Sequence, residues 1–449
     1  MKYHITTYGC QMNVADSQRL ASEMEKLGLS ATSQADDADV IILNTCVVRQ
    51  GPEDKAVSRL MQLKPLKNVR PGTVLGVMGC MVGVRGANGM QKRFPFVDVF
   101  LPPSDPGPLV ELLHARGVQP QAGQEDYWIE RETTEQRYAL QDADFILPAH
   151  ERGKLISAHV PIIFGCNHVC TFCIIPYRRG TERSRSVGEI AAHARSLVQQ
   201  GVKEVTLLGQ IVDRYGYDVV DGPRLPQLLR ALAEIDGLER LRFLTSHPSY
   251  MTDELLDTVA DLPKVCEHIE VPVQAGDDEV LTRMKRGYTV DDYRRLIDRI
   301  RQRVPNVSIA TDIIVGFPGE TAAQFDETYN LLKEIKLDVA HVAMYSPRPN
   351  TSSASRFPDD VSPEEKERRR QALDDLQREI VGEINSRFLG QTVEVLVEEN
   401  HKGRWRGRTR NNKLVFFDDP SQDWVGRLAQ VKINWTGPWS MIGKLEAAP

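Results

Sequence analysis

The chain has 449 residues, 41% of them hydrophobic and 26% charged; this is the composition of an ordinary globular protein, and the length exceeds the roughly 250–300 residues at which single cores stop growing. Its net charge of -6 and pI near 6.0 exclude a general attraction to nucleic acid and leave only local patches, which act over about 8–10 Å. The opening MKYHITTYGC lacks the regions of a signal peptide and no run of 18 apolar residues follows, so a cytoplasmic protein without a membrane span is expected, its cysteines serving metals or catalysis rather than disulfides.

Residues 1–115 alternate strand and helix: HITTYGC precedes VADSQRLASEMEKLG, VIILNTC precedes GPEDKAVSRLMQL, and TVLGVMGC runs into a Gly-rich turn. Apolar strands with intervening helices predict a parallel sheet. Cys10, Cys46 and Cys80 each close a strand-like run. The C-terminal ends of parallel strands share one edge, where ligands collect, so the three thiols are expected to converge. Three buried small hydrophobes are the plainer alternative, but their matched placement argues against it.

Residues 116–152 (GVQPQAGQEDYWIERETTEQ and its flanks) read as a connecting segment. Over 153–383 strands and helices alternate again, with HVPIIFG, EVTLLG, LERLRFLTS, HIEVPV, SIATDIIVGF and VAHVAMYS as the strands. That pattern predicts a full or partial (β/α) barrel whose working face lies at the C-terminal strand ends. Cys166, Cys170 and Cys173, in GCNHVCTFC, follow the first of these strands. Three thiolates on one loop can hold three corners of an iron–sulfur cluster and leave one iron open to a small molecule. A zinc site or a redox pair is the alternative, although zinc usually takes four protein ligands and no second C-x2-C pair supplies the fourth. Cys266 has no partner at ligand spacing and reads as a buried structural residue. Residues 384–449 turn to short alternating strands, as in a small antiparallel barrel.

GCNHVCTFCIIPYRRGTERSR resembles the cluster-binding loop of radical S-adenosylmethionine enzymes. TTYGCQMNVADSQ, LNTCVVR, EVTLLGQ, RFLTSHP, VPVQAGDD, MKRGYT, TDIIVGFPGET and YSPRPNT resemble the methylthiotransferase family, and YGCQMN with NTCVVR is similar to its MiaB-type branch, which modifies tRNA. The resemblance implies methylthiolation of carbon 2 of isopentenyl-adenosine at tRNA position 37. Threonylcarbamoyl-adenosine in tRNA or an aspartate of a ribosomal protein, substrates of sister branches, are the alternatives. It further implies two [4Fe-4S] clusters. The cluster on Cys166, Cys170 and Cys173 would cleave S-adenosylmethionine to a deoxyadenosyl radical, and an auxiliary cluster on Cys10, Cys46 and Cys80 would carry sulfur. Two equivalents of S-adenosylmethionine are implied per product. So are an electron donor of the flavodoxin or ferredoxin type, a sulfur or cluster-supply protein, a tRNA anticodon stem-loop as substrate, and a monomeric enzyme.

By the same resemblance, Phe172, Gly209, Gln210, Val315, Gly316 and Phe317 would neighbour the cofactor; Ser246, His247 and Gln274 sit at later strand ends, where polar groups of a barrel usually face the site, and His247 stands equally well as a structural residue. The chain departs from the family pattern at Ile211 and Ala275, which remove polar side chains from strand-end loops; Asp213 and Asp277 are the polar groups nearby. Arg178, Arg179, Arg183 and Arg185 follow the cluster loop, and their planar forks suit phosphate, against the bland reading of a solvated face. In the tail, Lys402, Arg404, Arg406, Arg408 and Arg410 interleave with Trp405. A strand that aims such charges to one face beside an exposed aromatic is a platform for single-stranded RNA, and it resembles a TRAM domain.

Overall fold

The computed structural model describes residues 1–48, 50–86, 89–119 and 145–446; most of the expected connecting segment lies outside them. Two compact units emerge: Met1–Gly153 with Ala158–His168 and Cys173–Gly201, and Lys154–Ser157 with Val169–Phe172 and Val202–Pro449. This grouping cuts the expected central domain after Gly201.

In the first unit, strands β1 (Lys2–Thr7), β2 (Ser30–Ala31), β3 (Val40–Thr45), β4 (Val74–Gly79) and β5 (Val99–Leu101) form a parallel sheet of order β2-β1-β3-β4-β5. Helices α1 (Gln11–Lys26), α2 (Gln50–Val69), α3 (Met90–Arg93) and α4 (Gly107–Ala115) intervene. Every residue of β3 and β4 is buried, because the sheet is covered on both faces: Leu20 and Met24 of α1 and Leu109 and Leu113 of α4 pack in one cluster, Leu60 and Leu63 of α2 in another. The unit continues with β6 (Ser157–Pro161), the antiparallel pair β7 (Ile163–Phe164) and β8 (Arg183–Ser184), and helices α5 (Ile175–Arg179) and α6 (Val187–Gln199). Ser186 and Glu189 close a capping box at the start of α6, satisfying amides that a helix N-terminus otherwise leaves open.

In the second unit, β9 (Glu204–Leu208) pairs in parallel with β10 (Arg240–Phe243), a bridge from Leu241 to Val265 continues the sheet, and β11 (His268–Glu270), β12 (Ser308–Val315) and β13 (Val339–Met344) follow in parallel. Helices α7 (Leu225–Ala233), α8 (Asp253–Asp261), α9 (Asp278–Met284), α10 (Val290–Arg303) and α11 (Ala322–Ile335) alternate with them, so the strand ends all face one way, as in the partial barrel read from the sequence. Helices α12 (Ser352–Arg356) and α13 (Pro363–Ser386) lead to a closed barrel of β14 (Thr392–His401), β15 (Arg404–Thr409), β16 (Leu414–Asp418), β17 (Leu428–Thr436) and β18 (Met441–Leu445), in the order β14-β15-β16-β18-β17. Arg240 and Arg242 of β10 dock this barrel. Arg240 donates to the carbonyl of Arg408 at 2.7 Å and pairs with Glu394 at 2.8 Å, and Arg242 donates to the carbonyl of Thr409 at 2.8 Å. Cys266 is buried, as a packing residue should be. Among the described residues no helix is long and apolar enough to cross a membrane.

Candidate active site

Strands β1, β3 and β4 end level with one another, Thr7 opposite Asn44 and Thr45 opposite Gly79, and a cysteine follows each. Cys10 is the N-cap of α1, Cys46 directly follows β3, and the Cys80 amide donates to the Thr45 carbonyl at 2.9 Å. A buried asparagine pair ties the three ends. Asn13 donates to the Asn44 side-chain oxygen at 2.9 Å and to the Thr45 carbonyl at 3.1 Å, while Cys10 Sγ lies 3.4 Å from Asn13 Oδ1.

All three cysteines are free of disulfides, and each sulfur lies within electrostatic reach of the others. Burial pushes the Cys46 thiol up to about 11; the Val48 amide, donating to its Sγ at 3.5 Å, opposes this, and Cys80 and Cys10 push it further up. Burial likewise raises the Cys80 thiol, against the Arg179 guanidinium that hydrogen-bonds it. Burial works against the Arg179 charge as well, but Cys80, Asp16 and Cys10 hold it protonated. Its salt bridge to Asp16 measures 2.9 Å with both side chains almost fully enclosed. Three thiols around a buried cation suit a group that carries net negative charge on sulfur, as an iron–sulfur cluster does. Among the described residues no group of three or more His, Cys, Asp or Glu is set to hold a single metal ion.

The second trio lies on the turn between β7 and α5. Gly165 makes this turn possible: its φ is +67°, and a Cβ there would lie 2.0 Å from the Thr181 carbonyl oxygen. The Cys166 amide donates to the Gly180 carbonyl at 3.1 Å and its Sγ accepts from the His168 amide at 3.4 Å. Cys166 is buried, whereas Cys170 and Cys173 are partly open.

The Cys170 segment is pinned on both sides. The Thr171 amide and hydroxyl donate to the Met284 and Arg283 carbonyls at 3.1 and 2.8 Å, and the Thr171 carbonyl accepts from the Ser353 amide at 2.8 Å. Beyond α9, Lys285 turns the chain with a φ of 56°, and Arg286 donates from Nη1 to Cys170 Sγ at 3.3 Å and from Nε to the Tyr288 hydroxyl at 2.9 Å.

The cofactor-neighbour candidates lie at the C-terminal strand ends of the second unit, except Phe172, which belongs to the pinned segment. Gly209 and Gln210 follow β9. The Ser246 hydroxyl is buried with no hydrogen-bond partner among the described residues, an arrangement that costs free energy unless a ligand completes it. Gln274 holds a φ of 76°, a conformation that non-glycine residues adopt mostly where the surroundings enforce it. Val315 and Phe317 are fully buried, and Phe317 packs edge-on against Tyr345, so these two offer only backbone to a ligand. The Gly316 amide is already bonded to the Glu320 carboxylate.

His247 is buried between Tyr250 and Tyr288, its amide held by both oxygens of Asp213 at 3.1 Å. Asp277 caps α9 through the Val280 amide, so Asp213 and Asp277 have internal duties. Ile211 and Ala275 are buried apolar residues.

Three residues of the site escaped sequence reading: Arg286, Glu270 and Asp312. Burial, reinforced by Asp312, raises the Glu270 carboxyl to about 7. The only signal was an acid inside each of the apolar runs HIEVPV and TDIIVGF.

The basic candidates divide. Arg183 is exposed and lies over the Phe164 ring, and Arg178 is half-buried with Nη1 3.5 Å from the Met81 carbonyl. Arg179 and Arg185 are buried; Arg179 serves the first trio and Arg185 donates to the Pro161 carbonyl at 2.5 Å, which takes both off any open RNA surface. In the C-terminal barrel, Arg404 pairs with Asp418, Arg406 with Glu399 and Arg408 with Glu398, while Arg410 is bound to Glu267. Trp405 is not the exposed aromatic expected: its Nε1 donates to the Asp419 carbonyl at 2.7 Å and its ring packs against the barrel core. Trp435 and Trp439, missed in the sequence, are exposed instead.

Residues 160–332 match the radical SAM superfamily, residues 2–102 an uncharacterized protein family, UPF0004, and residues 386–445 the TRAM domain. The chain is 47% identical over 447 residues to the tRNA-2-methylthio-N(6)-dimethylallyladenosine synthase of Roseiflexus sp. (strain RS-1), covering 99% of this chain and 89% of that protein. Proteins of the same name from Herpetosiphon aurantiacus and Chloroflexus aurantiacus are 46% and 45% identical, over 99% and 98% of this chain and 97% and 91% of theirs. Among solved structures, the radical S-adenosylmethionine methyltransferase TsrM of Kitasatospora setae superposes with a TM-score of 0.56 at 15% identity, covering 79% of this chain and 75% of that one. The cobalamin-dependent radical enzyme OxsB superposes at 0.52 with 11% identity, covering 85% and 56%. These two likenesses are of fold.

Proposed function

The chain belongs to the tRNA-2-methylthio-N(6)-dimethylallyladenosine synthase family, and on that premise we propose that it is the radical S-adenosylmethionine methylthiotransferase that modifies carbon 2 of isopentenyl-adenosine at tRNA position 37. The observation that carries this reading is identity of 45–47% to enzymes of that name over nearly the whole chain, with both cysteine trios on strand ends or on the loop after a strand.

Cys166, Cys170 and Cys173 hold the [4Fe-4S] cluster, and Cys10, Cys46 and Cys80 hold an auxiliary one. When bound, these clusters and S-adenosylmethionine supply the one-electron and sulfur chemistry that an unactivated aromatic C–H bond requires and no side-chain acid or base can provide. The chain's own residues prepare for them. Asn13 and Asn44 fix the strand ends that carry the auxiliary thiols, and Arg179 offsets their charge. Thr171 locks the Cys170 segment, and Arg286 hydrogen-bonds its sulfur. The Ser246 hydroxyl and the Gln210 and Gln274 side chains offer polar contacts to S-adenosylmethionine. An electron donor of the flavodoxin or ferredoxin class and a sulfur or cluster-supply protein complete the system.

The test is an anaerobic assay of the reconstituted protein with S-adenosylmethionine, a chemical reductant and an anticodon stem-loop bearing isopentenyl-adenosine. Methylthio-isopentenyl-adenosine in the digested RNA is expected. Its absence, with deoxyadenosine still formed, would remove the substrate assignment.

A further inference from the structure

The arginines of β15 are paired with acids, so the C-terminal barrel needs another surface if it is to grip RNA. The β17–β18 ribbon offers one. Lys432 and Lys444 stand directly opposite each other across it, both exposed, and among the described residues neither makes an ion pair. Like charges facing each other weaken a ribbon, and an anion bound between them would relieve this.

A bulge brings an aromatic to the same face. Along β17, Val431 and Ile433 point inward and Lys432 outward, so plain alternation would bury residue 435. The register instead shifts between Ile433 and Trp435: Asn434 is the extra residue, and it re-aims the strand beyond it, as bulges do. Trp435 therefore pairs with Ile442 and is 49% exposed. Ile442 is two residues from Lys444, which puts the indole roughly 7 Å along the ribbon from the lysine pair.

The adjoining turn is held firmly. The Gly437 amide donates to the Ser440 carbonyl at 2.9 Å, and buried Asn385 of α13 donates to the Gly437 carbonyl at 2.8 Å. A Cβ on Gly437 would lie 2.5 Å from Trp435 Cη2, so the six-membered end of the indole lies close against that backbone. On the same turn Trp439 is 66% exposed. The ribbon and its turn thus carry two exposed indoles and two unpaired ammonium groups. Protein interfaces deplete lysine from their cores, whereas indoles next to cations suit unstacked bases and their phosphates.

We propose that the outer face of the β17–β18 ribbon is a single-stranded RNA grip in which Trp435 and Trp439 stack on unpaired bases and Lys432 and Lys444 hold backbone phosphates. Identifying that RNA as the substrate tRNA rests on the function proposed above.

The test measures binding of the full chain to an anticodon stem-loop carrying isopentenyl-adenosine, by fluorescence anisotropy over a range of salt concentrations. Trp435→Ala is expected to weaken binding about five- to hundredfold, and Trp435→Phe, which keeps a stacking ring, to retain most of the affinity. Lys432→Ala with Lys444→Ala should flatten the slope of log affinity against log salt by about 0.7 for each phosphate no longer held. The same pair should melt no lower than wild type, since it removes a repulsion. Wild-type affinity and salt slope in all these variants would overturn the grip while leaving the function intact. Unchanged RNA affinity with an altered oligomeric state would also overturn it, by giving the face to a protein partner. Failure of the wild-type protein to bind the stem-loop would remove the tRNA reading itself.

Discussion

Arg286 directs Nη1 at the Sγ of Cys170 across 3.3 Å from a nearly closed pocket, its Nε held by the Tyr288 hydroxyl. A buried cation that donates to a ligand sulfur favours the more negative, reduced state of a cluster. Arg286→Gln should therefore lower the midpoint potential of the reconstituted radical cluster by on the order of 60 mV, tenfold in a one-electron equilibrium, with Arg286→Lys in between. A redox titration followed by electron paramagnetic resonance checks it; an unchanged midpoint would reduce Arg286 to a packing residue.

The turn before Cys166 leaves no room for a side chain. In Gly165→Ala, the left-handed backbone alone costs about 1–2 kcal/mol, and the new Cβ would press on the Thr181 carbonyl, backbone that cannot swing aside. Calorimetry should show a lower melting temperature, and reconstitution should restore about half the wild-type iron, since the auxiliary trio is untouched.

Burial raises the Asp213 carboxyl to about 8, against the His247 amide that it accepts. A carboxyl whose folded pKa lies above its unfolded value stabilises the fold fully below the unfolded value of about 4, and loses that contribution as pH rises through the folded value. Stability should fall between about pH 5 and 8, by on the order of 3–5 kcal/mol. Asp213→Asn should flatten most of that slope in denaturant titrations across this range. Glu270, raised to about 7, leaves a residual slope of the same sign.

The convergence of Cys10, Cys46 and Cys80 was legible in the sequence because each closes an apolar strand and strand ends in a parallel sheet share an edge; no distant contact is needed to see it. The partial barrel and the C-terminal β-barrel were legible for the same reason, through local periodicity, except that β16 and β18 pair in parallel where an antiparallel barrel was expected. What stayed hidden depends on contacts between distant positions. Arg179 looks like one of four surface arginines until Asp16, far off in the chain, is seen to hold it inside. Trp405 looks like a stacking residue until its Nε1 finds the Asp419 carbonyl. Trp435 looks like an inward residue of β17 until a one-residue bulge turns it out. Strand β18 went unread because Gly443 interrupts a run of only five residues.

The two trios should separate by mutation. Cys166→Ala is expected to abolish deoxyadenosine formation. Cys80→Ala should retain it and lose the methylthio product, with iron falling from about eight to about four per chain. Methylthio product from Cys80→Ala would dispose of the auxiliary cluster.

The most direct measurement is mass spectrometry of nucleosides from the tRNA of cells lacking this protein, beside cells in which it is restored. The account predicts that methylthio-isopentenyl-adenosine disappears, that isopentenyl-adenosine accumulates in its place, and that the wild-type gene but not Cys166→Ala reverses both. An unchanged level of methylthio-isopentenyl-adenosine in the deleted strain would contradict it.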